Sequence, residues 1–372
     1  MTRALPLLLA GLAAACSEAE LVRERLSSNS PGAPEQSAAA LRVPRGFAIE
    51  LFAEDLRSVR TLKLGPDGLL YAALSERGRI VRLDPTAAAP RPQTVAEGLR
   101  RPYGFAFHEG DLYVGEEHRV VRLEGPSFVR STVVVPGLPT GGHWTREIDF
   151  GPDGMLYVSV GSSCNVCEEN DERCAAVTRY RPNGSGARLV AGGFRNAAGL
   201  AVHPETGEIW ASQNERDNLG DDLPPEEINV LADGTDFGWP YCHGARIPNS
   251  EYRDRAARCA HTTPPALEMQ AHSAPLGMTF YTGDQFPEEY RGDLFVAFHG
   301  SWNRSEPTGY LLAHVEVEGG RPISYEPFAE GWLEPNGRVT GRPVYPAVGP
   351  DGSLFLSDDG AGRIWRIRWV GQ

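Results

Sequence analysis

A short phrase that recurs six times is the feature that most constrains how this chain folds. Each copy joins an Asp-Gly or Gly-Asp/Glu turn to a run of β-branched and aromatic residues, which is typical of a β-hairpin. The copies are LGPDGLLYAAL (64–74), FHEGDLYVGEE (107–117), FGPDGMLYVSVG (150–161), VHPETGEIWASQ (202–213), YRGDLFVAFHG (290–300) and VGPDGSLFLSDDG (348–360). The sequence therefore predicts six small sheets built on one plan.

Six regular hairpins with little helical pattern between them predict an all-β fold, a six-bladed β-propeller. Radial repetition buries the faces of each small sheet against its neighbours and protects most strand edges. The interval between the fourth and fifth copies is the longest, which predicts an insertion between blades four and five, over residues 214–275. A pair of β-sandwiches or a β-helix are the alternatives, and the regular repeat makes both less favoured.

The charge of the chain limits the partners it can have. Its 372 residues carry a formal net charge of −13, and no basic face is visible. We therefore expect no nucleic-acid partner. An anionic small ligand would need a local cluster of arginines.

The N-terminus predicts export. Residues 1–16 read MTRALPLLLAGLAAAC, a short apolar run after Arg3 that is typical of a signal peptide. Its end resembles a bacterial lipoprotein cleavage box with Cys16 as the lipid-anchored residue; ordinary secretion is the alternative. Residues 17–41 are rich in Ser, Ala, Glu and Pro and are interpreted as a flexible tether. Residues 42–372 would then form the propeller, in the periplasm or anchored to the outer membrane.

The remaining cysteines fit an oxidising compartment, where they can form two disulfides and leave one thiol. They are Cys164, Cys167, Cys174, Cys242 and Cys259. Cys242 with Cys259 is the preferred pair because it would staple the insertion. Cys164 with Cys167 is the first choice among the other three, and a zinc site is the less favoured alternative.

Three polar residues precede the repeated strands at matching positions. His143 lies eight residues before Gly151 of the third copy, and Arg195 and Asn196 precede Val202 of the fourth. Propeller ligands bind where the loops of all blades meet, so we expect these side chains to converge. Imidazole can accept a proton from a hydroxyl, and a guanidinium can bind a carboxylate or stabilise an oxyanion. A structural histidine and an ion pair between blades are the alternatives.

Other segments supply further ligands for the same mouth. Arg304 follows the fifth copy, and Arg338 and Arg342 precede the sixth, so four arginines could surround one anionic ligand such as a tricarboxylate. Residues 212–231 are rich in the oxygen ligands that Ca²⁺ prefers, although their spacing is not that of an EF-hand. This composition is compatible with two interpretations, a calcium site or a solvated acidic loop.

Four motifs together resemble the soluble, pyrroloquinoline quinone (PQQ)-dependent aldose dehydrogenases. They are GGHWTREIDFGPDG, GFRNAAGLAV, EEINVLADGTDFGWP and RVTGRPV with the GPDG turn after it, and they occur in family order over residues 42–370. AFHGSWNR and SSCNVCEE make the L-sorbosone dehydrogenase subfamily the most similar. The resemblance implies a six-bladed propeller, a sugar substrate, PQQ and Ca²⁺ as cofactors, and an external electron acceptor.

The resemblance also implies roles for individual residues. His143 matches the family's general base, and Arg195 with Asn196 matches the pair that contacts the reactive carbonyl of the quinone. Glu215 and Arg216 match the successive backbone carbonyls that hold calcium.

The arginines that bind the carboxylates of PQQ match Arg338 and Arg342, and Arg304 stands near the position of a family lysine at Gly300. Two further family positions differ, because Gly142 replaces an aspartate and Leu69 a glutamine.

Three functions are compatible with these observations. The favoured one is a PQQ-dependent sugar dehydrogenase that transfers hydride from an aldose or a related aldehyde hydrate. The second is a non-catalytic lipoprotein that binds a sugar or a protein at the channel mouth. The third is a calcium-dependent lactonase, which would need carboxylates and asparagine around a central metal and is disfavoured by the arginines.

Overall fold

A computed structural model describes residues 40–371 and confirms the six-bladed β-propeller. The strands are, in chain order, β1 (Phe47–Ala53), β2 (Val59–Leu64), β3 (Leu70–Leu74), β4 (Arg79–Leu83), β5 (Gln93–Ala96), β6 (Phe105–His108), β7 (Asp111–Glu116), β8 (Arg119–Leu123), β9 (Ser131–Val135), β10 (Ile148–Phe150), β11 (Leu156–Val160), β12 (Ala176–Tyr180), β13 (Arg188–Gly192), β14 (Ala197–Val202), β15 (Ile209–Gln213), β16 (Glu226–Val230), β17 (Thr235–Asp236), β18 (Cys242–His243), β19 (Ile247–Pro248), β20 (Leu267–Met269), β21 (Pro275–Phe280), β22 (Leu294–Phe298), β23 (Leu311–Glu318), β24 (Arg321–Ala329), β25 (Pro343–Val348), β26 (Leu354–Asp358) and β27 (Arg363–Trp369). Short 3-10 segments cover Ser250–His261 and Glu288–Tyr290.

Each blade is a sheet whose main four strands are antiparallel. Blades one, two and five take four consecutive strands, β2–β5, β6–β9 and β21–β24. Blade three contains β10–β13 with β17 added in parallel, and blade four contains β14, β15, β16 and β20. Blade six contains β25, β26 and β27 and is completed by β1 from the other end of the chain, with Phe47 opposite Trp369. This pairing closes the ring without a covalent bond.

The first strands of the blades, β2, β6, β10, β14, β21 and β25, are neighbours around the central channel. The second strands of five blades, β3, β11, β15, β22 and β26, are buried at every residue. This burial explains the apolar runs of the repeated phrase, since those strands have sheet neighbours on both sides and blades on both faces. We call the end of the channel where first strands begin the upper end, and the opposite end the lower end.

The repeated turn lies at the lower end and is stabilised locally. In blade one, Asp67 accepts hydrogen bonds from the backbone N–H of Leu69 (3.2 Å) and from the hydroxyl of Tyr71 (2.9 Å). In blade three, Asp153 does the same for Met155 (3.1 Å) and Tyr157 (3.1 Å). The repeated Pro-Asp-Gly is therefore a turn motif, because its aspartate satisfies the turn and anchors the next strand.

The long segment between the fourth and fifth copies contains β16 and β20, the third and outer strands of blade four. The extra residues lie between those two strands and include β17, β18, β19 and the 3-10 segment Ser250–His261. The structure thus places the insertion within blade four, before its outer strand, and not after a finished blade.

Both predicted disulfides are present, Cys164–Cys167 and Cys242–Cys259, and Cys174 is a buried free thiol. The sulfurs of Cys164 and Cys167 lie close to Glu169, but a disulfide offers no thiolate to a metal, so a zinc site is not formed there.

The predicted signal peptide (1–16) and all but the last two residues of the predicted tether (17–41) lie outside the described residues. Across 40–371, no helix combines the length and the apolar character needed to cross a bilayer.

Candidate functional site

His143 lies at the upper end, just before β10, and its ring is held in one orientation. Nδ1 lies 2.9 Å from the carbonyl oxygen of Ser162 and 3.0 Å from its hydroxyl oxygen. That hydroxyl donates its proton to the carbonyl of Cys164 (2.6 Å), so both contacts require a protonated Nδ1. Nε2 therefore carries the lone pair. Burial, and next the Arg195 guanidinium, lower the pKa of His143 to about 3, which keeps the ring neutral.

Asn196 is brought beside His143 by the neighbouring blade. Its Oδ1 accepts a hydrogen bond from the hydroxyl of Thr145 (3.2 Å), which precedes β10. A Cβ on Gly161 would stand 2.4 Å from Asn196 Oδ1 and 2.6 Å from His143 Cβ, so only glycine fits between them. Blades three and four thus place an imidazole and an amide side by side, as the sequence predicts.

Arg195 is buried and fixed by two partners. Its NH2 lies 2.5 Å from Asp217 Oδ2, and its Nε donates to Asn165 Oδ1 (3.1 Å). The other oxygen of Asp217 accepts from Asn303 of blade five (3.2 Å). The guanidinium is therefore positioned by a network across blades three, four and five.

Three further residues extend this site around the channel and were not identified from the sequence. The ring of Trp144 stacks with two guanidinium groups, those of Arg60 at 5.4 Å and Arg101 at 4.1 Å. Arg60 lies near the start of blade one and Arg101 precedes blade two, so cations from both blades meet at one aromatic ring. Stacking of this kind orients guanidinium groups because the ring face is electronegative.

Asp359, from blade six, also belongs to this site. It pairs with Arg60 (2.9 Å) and with Nε2 of His299 (2.9 Å), and it lies beside Arg342, whose backbone N–H binds the preceding Asp358 (2.7 Å). Burial would raise the pKa of Asp359, but Arg60, His299 and Arg342 together lower it to about 2. Residues from blades one, five and six therefore form one charged cluster next to Trp144.

The four arginines expected to form a ring are divided by the structure. Arg195 and Arg342 lie at the channel mouth. Arg304 bonds instead to the carbonyl of Asp221 on the rim between blades four and five. Arg338 has a side chain that is 44% exposed and pairs weakly with Glu334 of its own turn (4.0 Å). The cations that complete the ring are thus Arg60 and Arg101.

A group of buried carboxylates underlies Arg195, at the predicted calcium ligands. Glu226 accepts a hydrogen bond from the backbone N–H of Glu215 (2.7 Å), and Glu215 accepts one from the N–H of Arg216 (3.0 Å). Burial raises the pKa of Glu226 to about 8 and that of Glu227 well above its usual value.

Oxygen atoms in this group remain available to a cation. Asn229 donates to Glu227 (2.9 Å), while its buried Oδ1 has no hydrogen-bond partner. The carboxylates here also accept hydrogen bonds from backbone and amide N–H groups, so the fit to Ca²⁺ rests on their remaining lone pairs and on Asn229 Oδ1.

A cavity among the described residues lies elsewhere. It occupies about 830 Å³ at the lower end and is lined by Lys63, Asp149, Thr279 and Arg291, among others. Lys63 pairs there with Asp149 (2.9 Å) and approaches the buried Glu147 (3.8 Å). Cavity size and converging functional groups point to opposite ends, and we place the site where the functional groups converge.

Position in the repeat is the signal that could have identified the missing residues. Arg60 and Arg101 stand before or at the start of first strands, as His143 and Arg342 do, and Asp359 ends the sixth copy of the phrase. Aligning all six copies, including those of blades one and two, which carry none of the four family motifs, would have selected them.

Comparisons with known proteins agree with this geometry. The sequence profile of the TrAA12-like family matches residues 41–370. A protein of Borreliella burgdorferi without a characterised activity is 30% identical over 355 residues, which are 90% of this chain and 92% of that protein.

A pyranose dehydrogenase is similar to this chain both in sequence and in structure. The PQQ-dependent pyranose dehydrogenase of Coprinopsis cinerea is 23% identical over 91% of this chain, and the chain spans 56% of its length. The holo structure of the PQQ domain of the Coprinopsis cinerea pyranose dehydrogenase superposes with a TM-score of 0.75 at 22% identity and covers 91% of this chain and 99% of that one. The L-sorbosone subfamily stays a prediction. The chain belongs to the TrAA12-like family.

Proposed function

We propose that this protein is a PQQ-dependent oxidoreductase that oxidises an aldose or a related sugar aldehyde hydrate and passes the electrons to an external acceptor. One observation carries the proposal: a neutral His143 with a free Nε2 lies beside Arg195 and Asn196 at a mouth lined by further arginines. The Coprinopsis relative, a PQQ-dependent pyranose dehydrogenase, supports it. The two disulfides support a site of action outside the cytoplasm, as the N-terminus predicts.

The upper end fits a planar polyanion. Arg60, Arg195 and Arg342 come from three blades and would bind carboxylates, and Trp144 and Arg101 add a flat stacked surface beside them. In a protein of net charge −13, guanidinium groups brought together from three blades are suited to a tricarboxylate ligand. When bound, the quinone would supply the hydride acceptor.

His143 would remove the proton from the sugar hydroxyl. The hydrogen bond from Nδ1 to Ser162 fixes the tautomer that leaves Nε2 as the acceptor. A pKa of about 3 makes a weak base in the free protein. An anion held by Arg195 would offset the second cause of that low value, so we expect ligand binding to make His143 more basic.

Arg195 and Asn196 would provide N–H donors for negative charge that develops on a neighbouring oxygen. The guanidinium is preorganised by Asp217 and Asn165, so it needs no reorientation during the reaction. Preorganised donors of this kind contribute much of the rate enhancement of enzymes.

Calcium fits the oxygen-rich group under Arg195. The carbonyls of Glu215 and Arg216 would bind it, as predicted, with the carboxylates of Glu226 and Glu227 and Oδ1 of Asn229 as further ligands. Bound Ca²⁺ would stabilise the ionised carboxylates, which burial otherwise disfavours.

The test is reconstitution. Purified protein is incubated with PQQ and Ca²⁺ and assayed with a panel of aldoses and a dye acceptor, with the His143→Ala variant in parallel. We expect dye reduction with at least one sugar for the wild type and none above background for the variant. Binding of sugar without dye reduction would instead support the non-catalytic alternative, and neither PQQ binding nor turnover would contradict the proposal.

A further inference from the structure

A four-residue loop closed by the Cys164–Cys167 disulfide binds Arg195 directly and is linked to His143 through Ser162. The loop follows β11 at the upper end, and both cysteines are half-buried. Its N-terminal neighbour, Ser162, accepts the hydrogen bond from His143 and donates its hydroxyl to the carbonyl of Cys164. The loop therefore helps, through Ser162, to hold the Nδ1 side of the His143 ring.

Asn165, inside the loop, supports Arg195. Its Oδ1 accepts hydrogen bonds from Nε of Arg195 (3.1 Å) and from the backbone N–H of Asp217 (2.8 Å). Its Nδ2 donates to the carbonyl of Asp217 (3.2 Å), and its own carbonyl accepts from Nε1 of Trp239 (3.3 Å). One side chain thus fixes Arg195 and the carboxylate residue that pairs with it.

These contacts determine the orientation of the guanidinium. Asp217 binds NH2, and Asn165 binds Nε, so two bonds in different directions prevent rotation of the planar group. With the bond from Asn165 removed, the ion pair alone would hold Arg195, and Asp217 would lose the two hydrogen bonds that position its backbone while keeping the one from Asn303 to its carboxylate.

We propose that Asn165 is the positioning residue for Arg195 and Asp217, and that the Cys164–Cys167 disulfide is required to hold it in place. A disulfide restricts the conformations of the residues it encloses, so an open loop would let Asn165 leave both partners. Capture of the anionic cofactor by Arg195 then depends on the Cys164–Cys167 disulfide. The ligand in this inference rests on the proposed function, whereas the positioning does not.

Two readouts test the proposal in the full-length protein. The first is the hydrogen–deuterium exchange of the Asp217 amide, whose acceptor is Asn165. The second is the dissociation constant of PQQ, from absorbance titration with Ca²⁺ present. The variants are Asn165→Ala, Asn165→Asp, which keeps an acceptor oxygen, and the double variant Cys164→Ser/Cys167→Ser. Cys242→Ser/Cys259→Ser is the matched control, because it removes the disulfide of the insertion.

We expect Asn165→Ala and the first disulfide variant to speed exchange of the Asp217 amide and weaken PQQ binding by about tenfold or more, the loss of a hydrogen bond to a charged group. Asn165→Asp should recover part of the affinity, and the control should change neither readout. Unchanged exchange in Asn165→Ala, or equal effects of the two disulfide variants, would overturn the proposal. Should wild-type protein not bind PQQ, the proposed function fails, and the exchange data alone decide the positioning.

Discussion

The two ends of the channel belong to the same repeated blades, but their side chains differ in how far they recur. At the lower end the same side chains recur from blade to blade: Asp67 and Asp153 each accept a tyrosine hydroxyl and a backbone N–H. At the upper end each blade presents different residues, such as His143, Arg195 and Asp359. Recurrent residues stabilise each blade locally, whereas the unlike residues interact across blades.

This difference also separates cavity size from chemistry. The lower end contains the cavity of about 830 Å³, but the charge of Lys63 there is neutralised by Asp149. The upper end concentrates guanidinium groups, a neutral imidazole and buried carboxylates. The repeat thus provides a scaffold, and departures from it mark the site.

The largest expected effect is on turnover at the upper end. We expect His143→Ala to lower kcat/KM by a factor of about 10²–10⁴, because a positioned general base contributes about that much. Arg291→Ala, in the lining of the lower cavity, should leave kcat/KM unchanged. Dye-linked kinetics on both folded variants check this, and a His143→Ala enzyme as fast as the wild type would remove the assigned role.

A second large effect is expected on stability. Asp359→Ala leaves Arg60 and Arg342 without their shared partner, so the free energy of unfolding should fall by about 3 kcal/mol. Because the pKa of Asp359 in the folded protein is about 2, its contribution to stability is present above the pKa of the unfolded carboxyl and is lost as pH falls toward 2. Urea unfolding at pH 7 and pH 3 measures both, and a larger deficit of the variant at pH 3 than at pH 7 would be inconsistent with this cluster.

Glu147 tests the interior between the two ends. It is fully buried, and burial raises its pKa to about 8, although Lys63 acts in the opposite direction. The unfolded carboxyl releases its proton at lower pH, so wild-type stability should decline between about pH 5 and 8.

The variant that removes this titration is Glu147→Gln. We expect it to be more stable than the wild type at pH 9, by up to about 1.4 kcal/mol for each unit by which folding raises the pKa of Glu147, and to show no gain at pH 5. Thermal unfolding across this range provides the comparison, and a pH-independent difference would show that Glu147 does not titrate there.

The smallest effect is expected at the repeated turn. Asp153→Ala removes the bonds to Met155 and Tyr157 in one blade, for which we expect a loss of about 1 kcal/mol in unfolding free energy. Turnover should remain at the wild-type level. Loss of activity in a well-folded Asp153→Ala protein would contradict the assignment of catalysis to the upper end alone.

The sequence was sufficient where local chemistry repeats. Turn and strand patterns predicted the blades, the number and placement of the cysteines predicted both disulfides, and the position before a first strand identified His143, Arg195 and Asn196. The location of the insertion could not be read in the same way, because its outer strand, β20, is three residues long and lacks the repeated turn.

The ring of cations was only half predicted for a related reason. Arg338 and Arg342 stand four residues apart, yet only Arg342 reaches the mouth, since the turn that bears Arg338 folds back on Glu334. Arg60 and Trp144 are far apart in sequence and meet through ring closure. Such contacts depend on the angle between blades, which no single strand encodes.

The most direct test of the account is where PQQ binds. Its dissociation constant, measured by absorbance titration with Ca²⁺ present, should rise at least about a hundredfold in Arg195→Ala, which corresponds to about 2.8 kcal/mol. It should stay the same in Arg291→Ala at the lower cavity. Equal affinities of the wild type and Arg195→Ala, or a loss confined to Arg291→Ala, would contradict a cofactor site at the upper end.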